Sequence, residues 1–202
     1  GWHFRDMEET ARQWIEVIRK REQPDIVVGI FHSGVQAETL ADRYRENASI
    51  EVARRVPGFD VVFCGHDHAP SVQQVTNCEG QSVWVVDPGS NALQVGEVEM
   101  NFTLYNNKVK KKVITAGLVS MHDYEPDEAY MQQFKKQIAT VNAFVDRTIG
   151  TIDRTITTRN AYLGSSAFVD LIHTLQLQIS GAQISLAAPL VYDTEIHKGD
   201  IR

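Results

Sequence analysis

Two apolar runs, each opened by an aspartate and closed by histidine, restrict this chain more than any other feature. They are "DIVVGIFHSG" from Asp25 to Gly34 and "DVVFCGHDHAP" from Asp60 to Pro70. Continuous apolar runs without polar alternation are strands buried on both faces, the kind found in parallel sheets covered by helices. Helical patterns flank them. Met7, Ala11, Trp14, Ile15 and Ile18 share one face of a helix over Asp6–Arg21. Asp6 with Glu9 gives that helix a capping-box-like start, and Pro24 stops it. Val35–Asn47 and Ala48–Val56 also read as helical. Such alternation of strand and helix predicts a layered α/β or α+β core.

From Ser71 the pattern changes to β-rich, partly alternating segments: "SVQQV", "SVWVVDPG", "VGEVEMNFTLY" and "KVKKKVITAGLV", with Asn106 and Asn107 at a hairpin turn. Pro126 opens a long helix to about Thr148, with Met131, Phe134, Ile138, Val141 and Val145 as its buried stripe. A further helix over Ser165–Ser180 (Phe168, Leu171, Ile172, Leu175, Ile179) leads into a buried strand, "QISLAAP".

A formal net charge of −6 and short basic runs, Arg19–Arg21 and Lys108–Lys112, argue against a groove for duplex nucleic acid, which needs clustered cations. No apolar run reaches membrane-spanning length. Cys64 sits within an apolar strand and reads as a small core residue, while Cys78 lies in a turn.

Chemistry concentrates at the strand ends. Open α/β sheets place ligand sites beyond the carboxyl ends of their strands, where His32, His66 and His68 fall. Gly65 would make the turn after the second strand. In extended backbone residues i and i+2 share a side, so His66 and His68 would face one site while Asp67 points away or orients a neighbour. Neutral imidazole ligates zinc, manganese and iron. Taken alone, His32 is as readily a polar strand terminus. "GHDH" after an apolar strand, beside a second strand ending in "HSG", points to metal.

"PDIVVGIFHSG" and "GFDVVFCGHDH" resemble the last two signature blocks of the metallophosphoesterases, in the 5'-nucleotidase and 2',3'-cyclic-nucleotide 2'-phosphodiesterase (3'-nucleotidase) branch. The resemblance continues through "LGSSAFVDLIHTLQLQISGAQISLAAPLVYDTEIHKGDI", which is similar to the opening of that branch's C-terminal substrate domain. It implies the second half of a layered, αββα-type catalytic domain over 1–120, a connector helix over 121–148, and the start of an α/β C-terminal domain over 149–202. It implies two divalent ions (zinc, manganese or similar) in the intact enzyme, with His32 and His66 on one and His68 on the other. It implies a nucleotide or other phosphoester substrate and a periplasmic or extracellular setting.

The branch's earlier blocks (an Asp-x-His strand end, a Gly-Asp pair and a Gly-Asn-His segment) have no counterpart here; "MHDYEPDE" from Met121 lacks the preceding strand. The chain is therefore expected to be a fragment carrying half the metal site and inactive alone. Its catalytic residues are expected upstream, no substrate-binding residue is identified, and the fragment on its own is expected to bind metal weakly or not at all. Association with another copy would cover the exposed apolar edge of such a fragment. "AAPLVYD" from Ala187 to Asp193 replaces the Asn-Gly-Gly-x-Arg stretch typical of 5'-nucleotidases, so the cyclic phosphodiesterase and 3'-nucleotidase type is favoured over 5'-nucleotidase. Two readings from other classes stand beside it: a non-catalytic nucleotide-binding protein with a degenerate site, and a mononuclear zinc hydrolase using the three histidines alone.

Overall fold

The computed structural model describes residues 3–35, 46–188 and 191–202. The chain divides after Glu125 into two compact units. The first opens with helix α1 (Met7–Arg21), whose amino end is closed by Asp6: its carboxylate accepts the Glu9 N–H at 3.0 Å. Glu8 and Glu9 in the first turn and Arg19, Lys20 and Arg21 in the last complement the helix dipole. Ala11 and Ile15 supply the buried face.

Strands β1 (Val28–Ile30), β2 (Val61–Phe63), β3 (Ser71–Thr76) and β4 (Ser82–Asp87) form one sheet in the order β1-β2-β4-β3. The first three in that order are mutually parallel, and β3 returns antiparallel to β4. Helix α2 (Ser49–Arg55) connects back to β2. On one face of the sheet Val62, Val83 and Val85 pack with Ile15, Val52, Ala53 and Val56 of the helices. The other face carries Val61, Trp84 and Val86, and it is covered by the hairpin of β5 (Gln94–Tyr105) and β6 (Lys108–Ser120). Trp84 donates its indole N–H to the Ile114 carbonyl at 2.9 Å. A Cβ on Gly96 would stand 2.8 Å from Val86 Cγ1, so the hairpin reaches the sheet only because that residue is glycine. Helices, sheet and hairpin thus form three layers, and Val61, Val62, Val83, Val85 and Val86 are fully buried between them. This is the double coverage expected of the second apolar run; the first, at the sheet edge, lacks it on the hairpin face, where Val28 is 41% and Ile30 82% exposed.

Asn106 and Asn107 both adopt positive φ (49° and 58°), as a two-residue hairpin turn of the right twist demands. β1 and β3 are the edge strands among the described residues, and in β1 Ile30 is 82% exposed. The helix expected over Val35–Asn47 falls largely outside the described residues.

The second unit departs from expectation in two places. The long helix from Pro126 is two helices, α3 (Glu128–Gln133) and α4 (Lys135–Val145), broken at Phe134 (φ −101°, ψ 7°). Neither helix buries a residue, and Met131, Val141 and Val145 are exposed. A periodic apolar stripe keeps a helix continuous only where packing rewards it, and among the described residues only Phe134 and Ile138 of this stripe are even half-buried. Likewise "QISLAAP" is not a strand: residues 182–188 lie outside any ladder. The strands of this unit pair instead as two short two-stranded ladders, β7 (Gly150–Ile152) with β10 (Gly199–Ile201) and β8 (Ile156–Thr157) with β9 (Glu195–Ile196). Helix α5 (Ala167–Ser180) forms as expected and ends on Gly181 in the left-handed region, but it buries Val169 rather than Leu175 or Ile179. Thr158 ties the unit together, donating to the Val191 carbonyl at 2.9 Å and accepting the Thr194 N–H at 3.0 Å. Arg159 holds Asp193 through two bonds of 2.8 Å. Among the described residues no helix is long and apolar enough to cross a membrane.

Truncating Val85 to alanine removes a fully buried side chain from the centre of the sheet. It should lower the unfolding free energy by about 2 kcal/mol in a urea titration. Val95→Ala, at a half-exposed hairpin position, should change it by less than about 0.5 kcal/mol.

Candidate metal centre

Parallel pairing brings three strand ends to one place. Ile30 aligns with Phe63, and Phe63 with Val86, so β1, β2 and β4 finish side by side. The ladder continues past them: Phe31 donates to the Phe63 carbonyl and Cys64 to the Val86 carbonyl, each at 2.9 Å. Ser33 and Gly65 then form an isolated bridge. His32, His66 and His68 stand on the loops that leave these ends.

His32 and His66 meet edge to face, with ring centroids 5.1 Å apart and an interplanar angle of 77°. His32 Nε2 lies 3.3 Å from His66 Nδ1. Two nitrogens bound to one zinc ion at about 2.0–2.1 Å and near the tetrahedral angle sit about 3.4 Å apart, so the spacing suits a shared ion. The other nitrogen of His66, Nε2, is 2.7 Å from Glu46 Oε1. A ligating imidazole needs such an acceptor for its second N–H. Nothing in the sequence pattern marks Glu46, because it is placed by the return of the chain into α2 and not by a motif.

His68 does not complete the set. Among the described residues no three His, Cys, Asp or Glu side chains gather as a metal-holding group. The extended backbone expected for the loop is also absent: His66 has φ 120° and His68 φ 57°. With both residues in the left-handed region, the i and i+2 side chains no longer share a side as they would in a strand. Gly65 is not the residue that turns the chain; it keeps a negative φ and bridges to Ser33, and His66 makes the turn. Non-glycine residues held this way cost on the order of 1–3 kcal/mol each, and surrounding bonds must hold them. Two histidines of the three therefore fit half of a coordination shell, and the remaining donors must come from other residues.

The holding bonds are polar and local. Ser33 Oγ donates to the Glu46 carbonyl at 2.8 Å and accepts the Ala48 N–H at 2.9 Å. Asn47 Oδ1 accepts the Gly34 N–H, and Asp67 Oδ2 accepts the Val35 N–H, each at 2.9 Å. A Cβ at Gly34 would lie 2.4 Å from Asn47 Oδ1 and 2.7 Å from Asp67 Oδ2, so only glycine lets both acceptors close in. Asp67 Oδ1 also accepts the Ala69 N–H at 3.2 Å. The middle residue of "HDH" thus orients a neighbour, as the sequence suggested.

Behind it, Asp87 at the end of β4 is fully buried. Its Oδ1 accepts the Gly89 N–H at 2.7 Å, and its Oδ2 meets no hydrogen-bond partner among the described residues. Burial pushes Asp87 above the usual carboxylate range, opposed by the Gly89 N–H and reinforced by the neighbouring Asp67 carboxyl and its charge. Burial also pushes Asp67 upward, but the N–H bonds from Val35 and Ala69 and the neighbouring Asp87 carboxyl outweigh it and leave Asp67 below that range. Cys64 lies against the same group. Burial, with the Asp87 charge next in weight, pushes its thiol up to about 12, while a bond with Ser49 opposes.

No family model matches the chain. Over 67 residues, 32% of this chain and 9% of the relative, it is 38% identical to a 2',3'-cyclic-nucleotide 2'-phosphodiesterase/3'-nucleotidase of Yersinia enterocolitica. The structure resembles a 5'-nucleotidase precursor from Thermus thermophilus, with a TM-score of 0.59 and 20% identity over 98% of this chain and 40% of that one. It also resembles the calcineurin-like phosphoesterase YfkN from Bacillus subtilis, with a TM-score of 0.56 and 18% identity over 72% and 46%. The chain spans less than half the length of each of these relatives. Its fold is that of the calcineurin-like phosphoesterases and 5'-nucleotidases, and the resemblance read from the histidine strands is met by the sequence relative as well.

The raised thiol has a chemical consequence. Cys64 is neutral, and contributes its full share of stability, below its ordinary pKa of 9.0; that share is lost progressively as the pH climbs from there to about 12. Near pH 8 a disulfide reagent should therefore titrate exposed Cys78 in the native chain and Cys64 only after denaturation. Release of both thiol equivalents under native conditions would contradict this placement.

Proposed function

We propose that this chain, with its calcineurin-like phosphoesterase fold, is the histidine-bearing part of a metal-dependent phosphoesterase that hydrolyses nucleotides, of the 2',3'-cyclic-nucleotide phosphodiesterase and 3'-nucleotidase type. The observation that carries the proposal is the convergence of His32 Nε2 and His66 Nδ1 to 3.3 Å at the carboxyl ends of adjacent parallel strands. The 67-residue likeness to a 2',3'-cyclic-nucleotide 2'-phosphodiesterase/3'-nucleotidase supports the finer assignment. Residues 1–120 belong to the catalytic domain, 121–148 to a connector and 149–202 to the start of a substrate domain in this reading. The setting proposed with it is periplasmic or extracellular.

Two divalent ions, when bound, would polarise the phosphoester, supply hydroxide and stabilise the leaving oxygen. This chain's residues do the holding. His32 and His66 offer lone pairs from two different loops to one ion, and Glu46 takes the remaining N–H of His66, which fixes Nδ1 as the free donor. His68 is assigned to the second ion, with its shell completed by residues outside this chain. Asp67 is occupied by the Val35 and Ala69 N–H groups and is left to orient the loop. Pro189, in the stretch that distinguishes this type from 5'-nucleotidases, lies outside the described residues.

The natural protein containing this chain should release adenosine from 2',3'-cyclic AMP and from 3'-AMP with manganese or zinc, and chelator should abolish the release. His66→Ala should abolish it, and Glu46→Ala should lower activity or metal affinity about tenfold. Preference for 5'-AMP would assign the 5'-nucleotidase type instead. No metal-dependent hydrolysis of any of the three would leave the non-catalytic binding reading. Zinc titration of the chain itself separates the last alternative: weak binding fits a half-site, and tight one-to-one binding fits a mononuclear zinc hydrolase.

A further inference from the structure

We propose that Ser33 is a positioning residue for the candidate metal centre: its buried hydroxyl pins the backbone at Glu46 and Ala48, and so aims the Glu46 carboxylate at Nε2 of His66. The Ser33 side chain touches no candidate ligand and acts through Glu46. The inference deepens the metal-site reading and rests on it only for what the His66 ring is held for.

Glu46 needs an anchor. Its side chain is 67% exposed, and it stands ahead of α2, so neither burial nor the helix fixes it. His32 differs, because the sheet ladder runs up to Phe31, which donates to the Phe63 carbonyl at 2.9 Å. What reaches Glu46 from the core is the hydroxyl of Ser33, a residue with no exposed surface. A hydroxyl both donates and accepts. This one donates to the Glu46 carbonyl at 2.8 Å and accepts the Ala48 N–H at 2.9 Å, so it holds the backbone on both sides of Asn47. The next residue along, Gly34, joins the same segment. Its N–H donates to Asn47 Oδ1 at 2.9 Å, and its carbonyl accepts the Ser49 N–H at 3.2 Å. The consequence falls on the His66 ring, which is met from two sides: Nδ1 lies 3.3 Å from His32 Nε2, and Nε2 lies 2.7 Å from Glu46 Oε1. One contact comes from the strand end and the other from the segment that Ser33 ties to it. Without the hydroxyl, the N–H of buried Ala48 loses its acceptor, which is costly, and Glu46 is released from the core.

The test has two arms. In the whole chain without metal, NMR should show nuclear Overhauser contacts between the His66 ring and the Glu46 side chain. Ser33→Ala should abolish them and speed Ala48 amide exchange about tenfold, while the paired β3–β4 amides of Val75 and Val83 keep their protection. In the natural protein containing this chain, zinc affinity is measured by competition with a chelator. Ser33→Ala and Glu46→Ala should each weaken it about tenfold. The double variant should bind no more weakly than Glu46→Ala alone, because Ser33 acts on the ring only through Glu46. Val85→Ala, which destabilises the core away from the site, should keep both the ring contacts and the affinity. Wild-type contacts between His66 and Glu46 in Ser33→Ala overturn the proposal. So does a double variant whose losses multiply to about a hundredfold, or Val85→Ala weakening zinc as much as Ser33→Ala. Should Ser33→Ala not fold, Ser33→Cys, which keeps the bulk and bonds weakly, takes its place: lost contacts support the proposal and unchanged contacts overturn it. A natural protein that binds no zinc removes the metal-site reading, and the metal-free arm still decides the role of Ser33.

Discussion

The parallel register of β1, β2 and β4 is the constraint on which the rest depends. Three strands running the same way must end on the same side, and their register puts Ile30, Phe63 and Val86 in one row. The polar features of the candidate metal centre follow from that row. His32 and His66 leave it from neighbouring strands and meet; Asp87 closes the third strand. A parallel sheet is stable only when both faces are covered. The valines that satisfy this with helices on one face and the β5–β6 hairpin on the other make a rigid mount for loops that are themselves strained.

That strain and the electrostatics are one problem. His66 and His68 sit in backbone conformations that only surrounding bonds can maintain. Asp67 supplies those bonds as a carboxylate accepting backbone N–H groups, and a second carboxyl stands behind it in the core. Two carboxyls in contact cannot both be ionised at low cost. Burial sets them apart: the fully buried Asp87 is raised and the loop residue Asp67 lowered. The same burial and the same charge hold the Cys64 thiol neutral.

The existence of the two histidine strands, the capped first helix, the double covering of the second strand and the Asn106–Asn107 turn were legible because each is written locally. The first strand, by contrast, lies at the sheet edge with Val28 and Ile30 exposed. Apolar runs, a capping carboxylate at i and a donor at i+3, and residues that tolerate positive φ all act within a few positions. The second unit was less legible. Met131, Val141 and Val145 repeat at helical spacing, yet they are exposed and the helix breaks at Phe134. "QISLAAP" has the composition of a strand but no ladder to join. Periodicity states what a segment could bury, and burial needs a partner that no local pattern encodes.

At the site the division is the same. The sequence by itself determined which residue types stand at the strand ends: imidazoles with a carboxylate between them, after runs apolar enough to form strands. Only the tertiary structure decided which of them meet. It paired His32 with His66 and not with His68, because the loop takes positive φ at both histidines of "HDH" instead of continuing the strand. It brought Glu46 to His66 and Asp87 to Asp67 across distances in sequence that no spacing rule connects. Hydrogen bonds and shared ligands are made by proximity in space, and proximity here is set by strand register.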